Sequence, residues 1–133
     1  MTCPVLVGVN DLFFSAKIDA AAKELAVPLK CFPTCERVLG AGRDAEPPLV
    51  ILDLDSVGGD AVAFIRTLKS DGRLGRVKVI GFCRHTNTAM LAAAERAGID
   101  RVMPRSDFVQ LLPELLRSCA EPSDVGAEGD KGP

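Results

Sequence analysis

Residues Leu49-Val50-Ile51-Leu52-Asp53-Leu54-Asp55 form an apolar run that stops abruptly at two carboxylates. Four apolar residues in a row, preceded by Pro47-Pro48, read as a strand buried on both faces, and such strands belong to the middle of a parallel sheet. Parallel neighbours can be joined only by long crossovers, usually helices, so this one run predicts strands and helices in alternation. Asp53 falls at the carboxyl end of the strand, the edge where open α/β sheets place ligands and chemistry. Asp55, two residues on, is placed to share a cation with it.

The rest of the chain supplies the alternation. Val5-Leu6-Val7-Gly8-Val9 reads as a first strand closed by Asn10-Asp11. A helix is expected from Leu12 to Ala26, with Phe14, Ile18, Ala22 and Leu25 on one face. Pro28 to Phe32 reads as an edge strand, where a leading Pro is tolerated, and Thr34 to about Ala41 as a short helix. After the strand into Asp53, Asp60 is a good N-cap for a helix over 61–70. Val77 to Phe82 is a fourth strand, stopping at Cys83-Arg84-His85. Thr86 or Asn87 can cap a helix from Thr88 to Ala97, with Gly98 as its left-handed stop. Arg101-Val102-Met103 is a fifth strand. Ser106 or Asp107 is expected to cap a last helix buried through Phe108, Leu111, Leu112, Leu115 and Leu116, with Pro113 either kinking it or marking its first turn. From Glu121 the chain is Pro, Gly, Ser and charge, which predicts a disordered tail over 121–133 after one domain over 1–120. Five strands alternating with five helices give a doubly wound α/β fold, a five-stranded parallel sheet in the flavodoxin-like order 2-1-3-4-5.

Composition removes classes of partner. Net charge is −2 and the basic residues are scattered, so no stripe points to nucleic acid. The apolar runs are too short to span a membrane, and the N-terminus lacks a signal-peptide layout, so a cytoplasmic protein is expected. Cys31 and Cys35 are four apart, not the CxxC spacing of zinc or redox motifs, and the chain has one His, His85. The five cysteines read as reduced thiols packed as small hydrophobes. No Gly-rich fingerprint follows the first strand, so dinucleotide or P-loop binding is not expected.

The carboxyl ends of strands one, three, four and five deliver Asn10 and Asp11, Asp53 and Asp55, Cys83 and Arg84, and Arg105 to one edge. With Ala97-Gly98-Ile99-Asp100-Arg101-Val102 before strand five, this constellation resembles the receiver domain of bacterial response regulators (CheY-like), over residues about 4 to 118. The resemblance implies that Asp53 stands at the phosphoacceptor position, and that Cys83, Arg84 and Arg105 stand where the family contacts the phosphoryl group. Asp11, Asp53 and the carbonyl of Asp55, with Asn10 acting through water, would supply a weak Mg²⁺ site.

Three departures matter. Asn10 replaces a carboxylate. Cys83 replaces a Ser or Thr, and its thiol is a poor donor to phosphoryl oxygen. Arg105 replaces a Lys, and its planar fork can pair bidentately with Asp53 or Asp11 instead of waiting for phosphate. The expectation is a stand-alone pseudo-receiver, not an enzyme, that acts by protein–protein contact independently of phosphorylation. Its partner would be another signalling protein or a histidine kinase, with a homodimer through the helix 4–strand 5–helix 5 face as a further option. The alternative is a phospho-accepting, Mg²⁺-dependent receiver. A third reading, of a different class, is a small thiol-based redox or hydrolytic protein using Cys83 or His85.

Overall fold

The computed structural model describes residues 3–43 and 46–120; the tail expected over 121–133 lies outside them. The elements are β1 (Val5–Gly8), α1 (Leu12–Glu24), β2 (Leu29–Phe32), α2 (Cys35–Arg43), β3 (Leu49–Asp53), α3 (Ala61–Ser70), β4 (Lys78–Cys83), α4 (Thr88–Ala97), β5 (Arg101–Pro104) and α5 (Arg105–Ala120), with a short 3₁₀ turn over Leu74–Arg76. The five strands make one sheet in the order β2-β1-β3-β4-β5, and every pairing is parallel. In register, Val7 stands beside Ile51, and Ile51 beside Ile80.

Strand residues alternate between two cores, as the pleat requires. Leu6, Val50, Leu52 and Val79 pack against Val38 of α2, Phe64, Ile65 and Leu68 of α3, and Ala94 of α4. Val5, Val7, Ile51, Ile80 and Phe82 pack against Phe14 and Ile18 of α1 and Phe108, Leu112 and Leu116 of α5. All five residues of β3 are buried, as expected for a central strand covered on both sides.

Local capping follows the sequence. The Asp11 carboxylate accepts from the Phe14 N–H, Asp60 from Ala63 and Asn87 from Met90. Gly98 closes α4 at φ +98°, a conformation that favours glycine. One expectation is corrected at the last helix, and one of the two readings of Pro113 is removed. Neither Ser106 nor Asp107 caps it, because α5 starts at Arg105 directly after β5. Pro104 disfavours helical backbone at the residue before it, so the strand runs on through Pro104 and the helix begins immediately after. Pro113 lies well inside α5 rather than in its first turn, where it leaves the carbonyl one turn back without its usual donor.

Gly81 lets the segments after β3 and α4 pack closely on β4. A Cβ there would stand 2.9 Å from Ile99 and 3.0 Å from Leu54. Its absence lets Leu54, the residue after Asp53, fold down onto β4, with the Leu54 N–H bonded to the Phe82 carbonyl at 2.9 Å.

Candidate functional site

Asp53 ends β3 with no exposed surface, the one buried charged side chain among the described residues. Its Oδ2 accepts the Ser56 hydroxyl at 2.8 Å and its Oδ1 accepts the Asp55 N–H at 3.1 Å. The Asp53 carbonyl in turn accepts the Val57 N–H at 2.9 Å, so the β3–α3 loop curls over the strand end. Burial pushes the Asp53 carboxyl above its ordinary titration. The Ser56 and Asp55 hydrogen bonds and the Arg105 charge oppose that shift, and the Asp55 charge adds to it.

Asp55 reaches the other way. Its Oδ2 accepts the Arg84 N–H at 2.8 Å and its Oδ1 accepts the Asn87 side-chain amide at 3.0 Å. Both carboxylate oxygens are therefore bonded into the loop between β4 and α4. Asn87 is anchored there through its side chain to Asp55 and to the Met90 N–H as helix cap, and through its own N–H to the Arg84 carbonyl. A carboxylate of the β3–α3 loop thus holds the next loop in place.

Arg105 does not pair bidentately. One nitrogen, Nη2, lies 3.9 Å from Asp53 and 4.0 Å from Asp55, beyond hydrogen-bond length, and Asp11 is not its partner. The guanidinium instead sits over the Phe14 ring, 5.1 Å from its centroid. Phe14 belongs to a cluster with Phe82 and Phe108, the latter two stacked at 4.2 Å. The side chain thus rests on an aromatic platform, with Nη2 near both carboxylates but bonded to neither. Its Nε is buried without a hydrogen-bond partner.

The side chains of Asp11, Asp53 and Asp55 each carry hydrogen bonds of their own. Asp11 caps α1 through Oδ1, Asp53 bonds within its own loop, and Asp55 bonds the next loop. Asn10 is exposed, and its N–H donates to the Ser56 hydroxyl at 3.0 Å. Among the described residues no three His, Cys, Asp or Glu side chains gather as a metal-holding group.

Cys83 is fully buried at the end of β4, and its thiol points to the Asn87 carbonyl at 3.8 Å. Burial, reinforced by the Asp55 and Asp53 charges, pushes the thiol upward despite Arg105. That is the opposite of an activated thiolate. Cys31 and Cys35 are also raised, each to about 11, chiefly by burial. His85 is exposed beside Arg84 and Thr86.

Sequence reasoning missed Ser56, Asn87 as a partner of Asp55, and Phe14 beneath Arg105. Ser56 had a signal, since a hydroxyl three residues after a strand-end carboxylate is a spacing at which side chains bond locally. The pairs of Asp55 with Asn87 and Arg105 with Phe14 are too far apart in sequence to leave one.

No family model and no curated protein matches the sequence. Solved structures match it over most of its length. A putative response regulator from Chloroflexus aurantiacus superposes with a TM-score of 0.77 at 12% identity, covering 90% of this chain and 98% of that one. The receiver domain of a sensor histidine kinase from Pseudomonas aeruginosa, solved with a magnesium ion in its active-site cleft, gives 0.76 at 12%, with 89% and 97% covered. A chemotaxis response regulator of Vibrio cholerae gives 0.75 at 9%, with 90% and 99% covered. The chain has the CheY-like receiver fold, the architecture that these response-regulator receiver domains share.

Proposed function

We propose that this chain is a signalling module that docks other proteins, and that its output does not depend on phosphorylation of Asp53. One observation carries this reading: the anionic role at the strand ends is already filled by the chain's own groups. Asp53 is enclosed by Ser56 and the Asp55 N–H, while the Asp55 carboxylate binds the backbone of the β4–α4 loop. A phosphoryl group arriving at Asp53 would have to displace the first set and compete with Asp55 for the second. Cys83 offers it a buried thiol, and Arg105 stands off on Phe14.

The docking surface we assign is the α4–β5–α5 face, which adjoins the loop that Asp55 holds. Ala89 of α4 is exposed, and Ala92 and Ala93 are half-buried, so small side chains let a partner approach closely. Ala94 and Ala97 pack inward and are not available. The partner class is a signalling protein or histidine kinase, with self-association through the same face as a variant of it. A phosphate-driven receiver is the second reading, favoured by the strand-end position of Asp53 and by the magnesium-bound neighbour.

Intact-mass analysis after incubation with acetyl phosphate and Mg²⁺ separates the two. The expected result is no phosphoryl adduct. An adduct that disappears in Asp53→Asn overturns the proposal in favour of the second reading.

A further inference from the structure

We infer that the acidic segment 121–133 of this chain docks on a basic cleft at the amino-terminal edge of its own sheet, opposite the Asp53 edge. The cleft is a cavity of about 680 Å³ formed by the segments that lead into β3 and β4. Pro47, Pro48 and Val77 give it an apolar wall, and Arg73 and Arg76 line it against one carboxylate, Glu46. Beside it, exposed Lys78 opens β4 and exposed Arg101 opens β5.

The carboxylates of this edge do not cancel its cations. Glu46 pairs with Arg73 at 3.6 Å, and Asp100 with Lys69 at 2.7 Å. Asp71 is held by the Arg73 and Leu74 N–H groups, at 2.7 and 2.8 Å. Arg76, Lys78 and Arg101 make no salt bridge among the described residues. With all three carboxylates ionised, the edge therefore stays positive, and its field draws an anionic chain.

The segment's charge and its point of departure fit that edge. α5 starts at the carboxyl end of β5, packs on β4 and ends at Ala120. Burial raises the Cys119 thiol, and the Ser118 hydroxyl and the Lys78 ammonium are close enough to oppose that shift. The chain after Ala120 thus departs near Lys78, whose neighbour Val77 lines the cleft. Residues 121–133 carry Glu121, Asp124, Glu128 and Asp130 against Lys131, with Val125 as the one large apolar side chain. That composition cannot pack a core of its own, but its charge is opposite to the cleft's. Thirteen extended residues reach on the order of 40 Å, enough to lie across the cleft. Tethering keeps the segment at a millimolar effective concentration, so contacts too weak to hold a free peptide suffice. This inference is independent of the docking role assigned to the α4–β5–α5 face.

The test is amide NMR of the full chain beside a full-length variant whose segment carboxylates are neutralised (Glu121→Gln, Asp124→Asn, Glu128→Gln, Asp130→Asn). Neutralisation is expected to move the Arg76, Val77 and Lys78 amides and to leave those of Arg84 and Asn87, at the Asp53 edge, in place. Added salt is expected to carry the parent's amides toward the variant's positions, because exposed charge contacts are screened. The Val125 amide loses its heteronuclear NOE in the same titration. In an Arg76→Ala background most of the difference between the two segments is expected to vanish, a coupling that a merely structural role for Arg76 does not produce. Amides at 76–78 that do not respond to neutralisation overturn the proposal, as do responses confined to another face. Shifts that vary with protein concentration place the segment on a second copy. Shifts caused by added poly-glutamate but not by the segment assign the cleft to an acidic partner. Either result overturns self-docking.

Discussion

The Ser56 hydroxyl donates to Oδ2 of Asp53 at 2.8 Å, and its oxygen accepts the Asn10 N–H at 3.0 Å. One small side chain therefore ties the end of β1 to the end of β3 and partly satisfies a desolvated carboxylate. Ser56→Ala leaves both groups short of a partner. The expected cost is about 1–3 kcal/mol, the range for orphaning a buried polar group, read from denaturant melts. The Asp53 titration moves further up in the same variant, read by carboxyl NMR. A melt unchanged from the parent contradicts this role.

Asp53 carries a pH signature. Its folded titration is raised above the ordinary 3.8, chiefly by burial. Over the window from 3.8 up to that raised value, the folded state holds the proton more tightly than the unfolded chain does. Stability from this group therefore falls as pH rises through the window, and the loss persists above it. Asp53→Asn removes the charge and is expected to melt higher than the parent at neutral pH. The gap closes as the parent carboxyl becomes protonated at acid pH. A gap that stays constant down to pH near 4 contradicts the assignment.

Asp55 is the tie between two loops. Asp55→Ala removes the acceptor for the Arg84 N–H and the Asn87 amide. Destabilisation of about 1–3 kcal/mol is expected. Hydrogen exchange at the Arg84 amide rises in step, because local opening no longer breaks a charge-assisted bond. Retained protection at Arg84 shows that the loop is held by something else.

Cys83 is expected to be inert. A buried thiol pushed upward by desolvation and by two carboxylates has little thiolate at neutral pH. Iodoacetamide modification of the folded protein at Cys83, followed by peptide mass analysis, is expected to run slower than at a free cysteine and to accelerate on unfolding. A rate at or above that of free cysteine restores the redox reading.

Asp100 illustrates a contact whose partner is distant in sequence. Its Oδ2 accepts the Lys69 ammonium and the Val79 N–H, both at 2.7 Å, joining α3, β4 and the start of β5. Burial pushes this carboxyl up, but those bonds and the Lys69 and Lys78 charges outweigh it and hold it below its ordinary value. Its contribution is thus present above the unfolded titration and is lost as pH falls through the folded one. Asp100→Asn is expected to be less stable than the parent at neutral pH, with the difference shrinking in acid.

Local chemistry explains how much of the fold was legible. The run into Asp53 predicts a doubly covered central strand, and Asp60, Asn87 and Gly98 mark helix ends through bonds to residues a few positions away. The start of α5 was misread because Ser106 and Asp107 are good caps in isolation. Pro104 extended the strand and set the helix start first.

What the sequence alone determined is what short-range physics determines: alternating strands and helices, and the delivery of Asp53, Asp55, Cys83 and Arg105 to one edge of a parallel sheet. Side-chain periodicity and crossover handedness suffice for that. Tertiary structure decided what those residues do when they meet. Asp55 bonds a loop 29 to 32 residues away, and Arg105 rests on Phe14 rather than on Asp53, because a carboxylate or guanidinium takes the nearest partner that burial and packing leave open. Position along the chain carries no record of that choice.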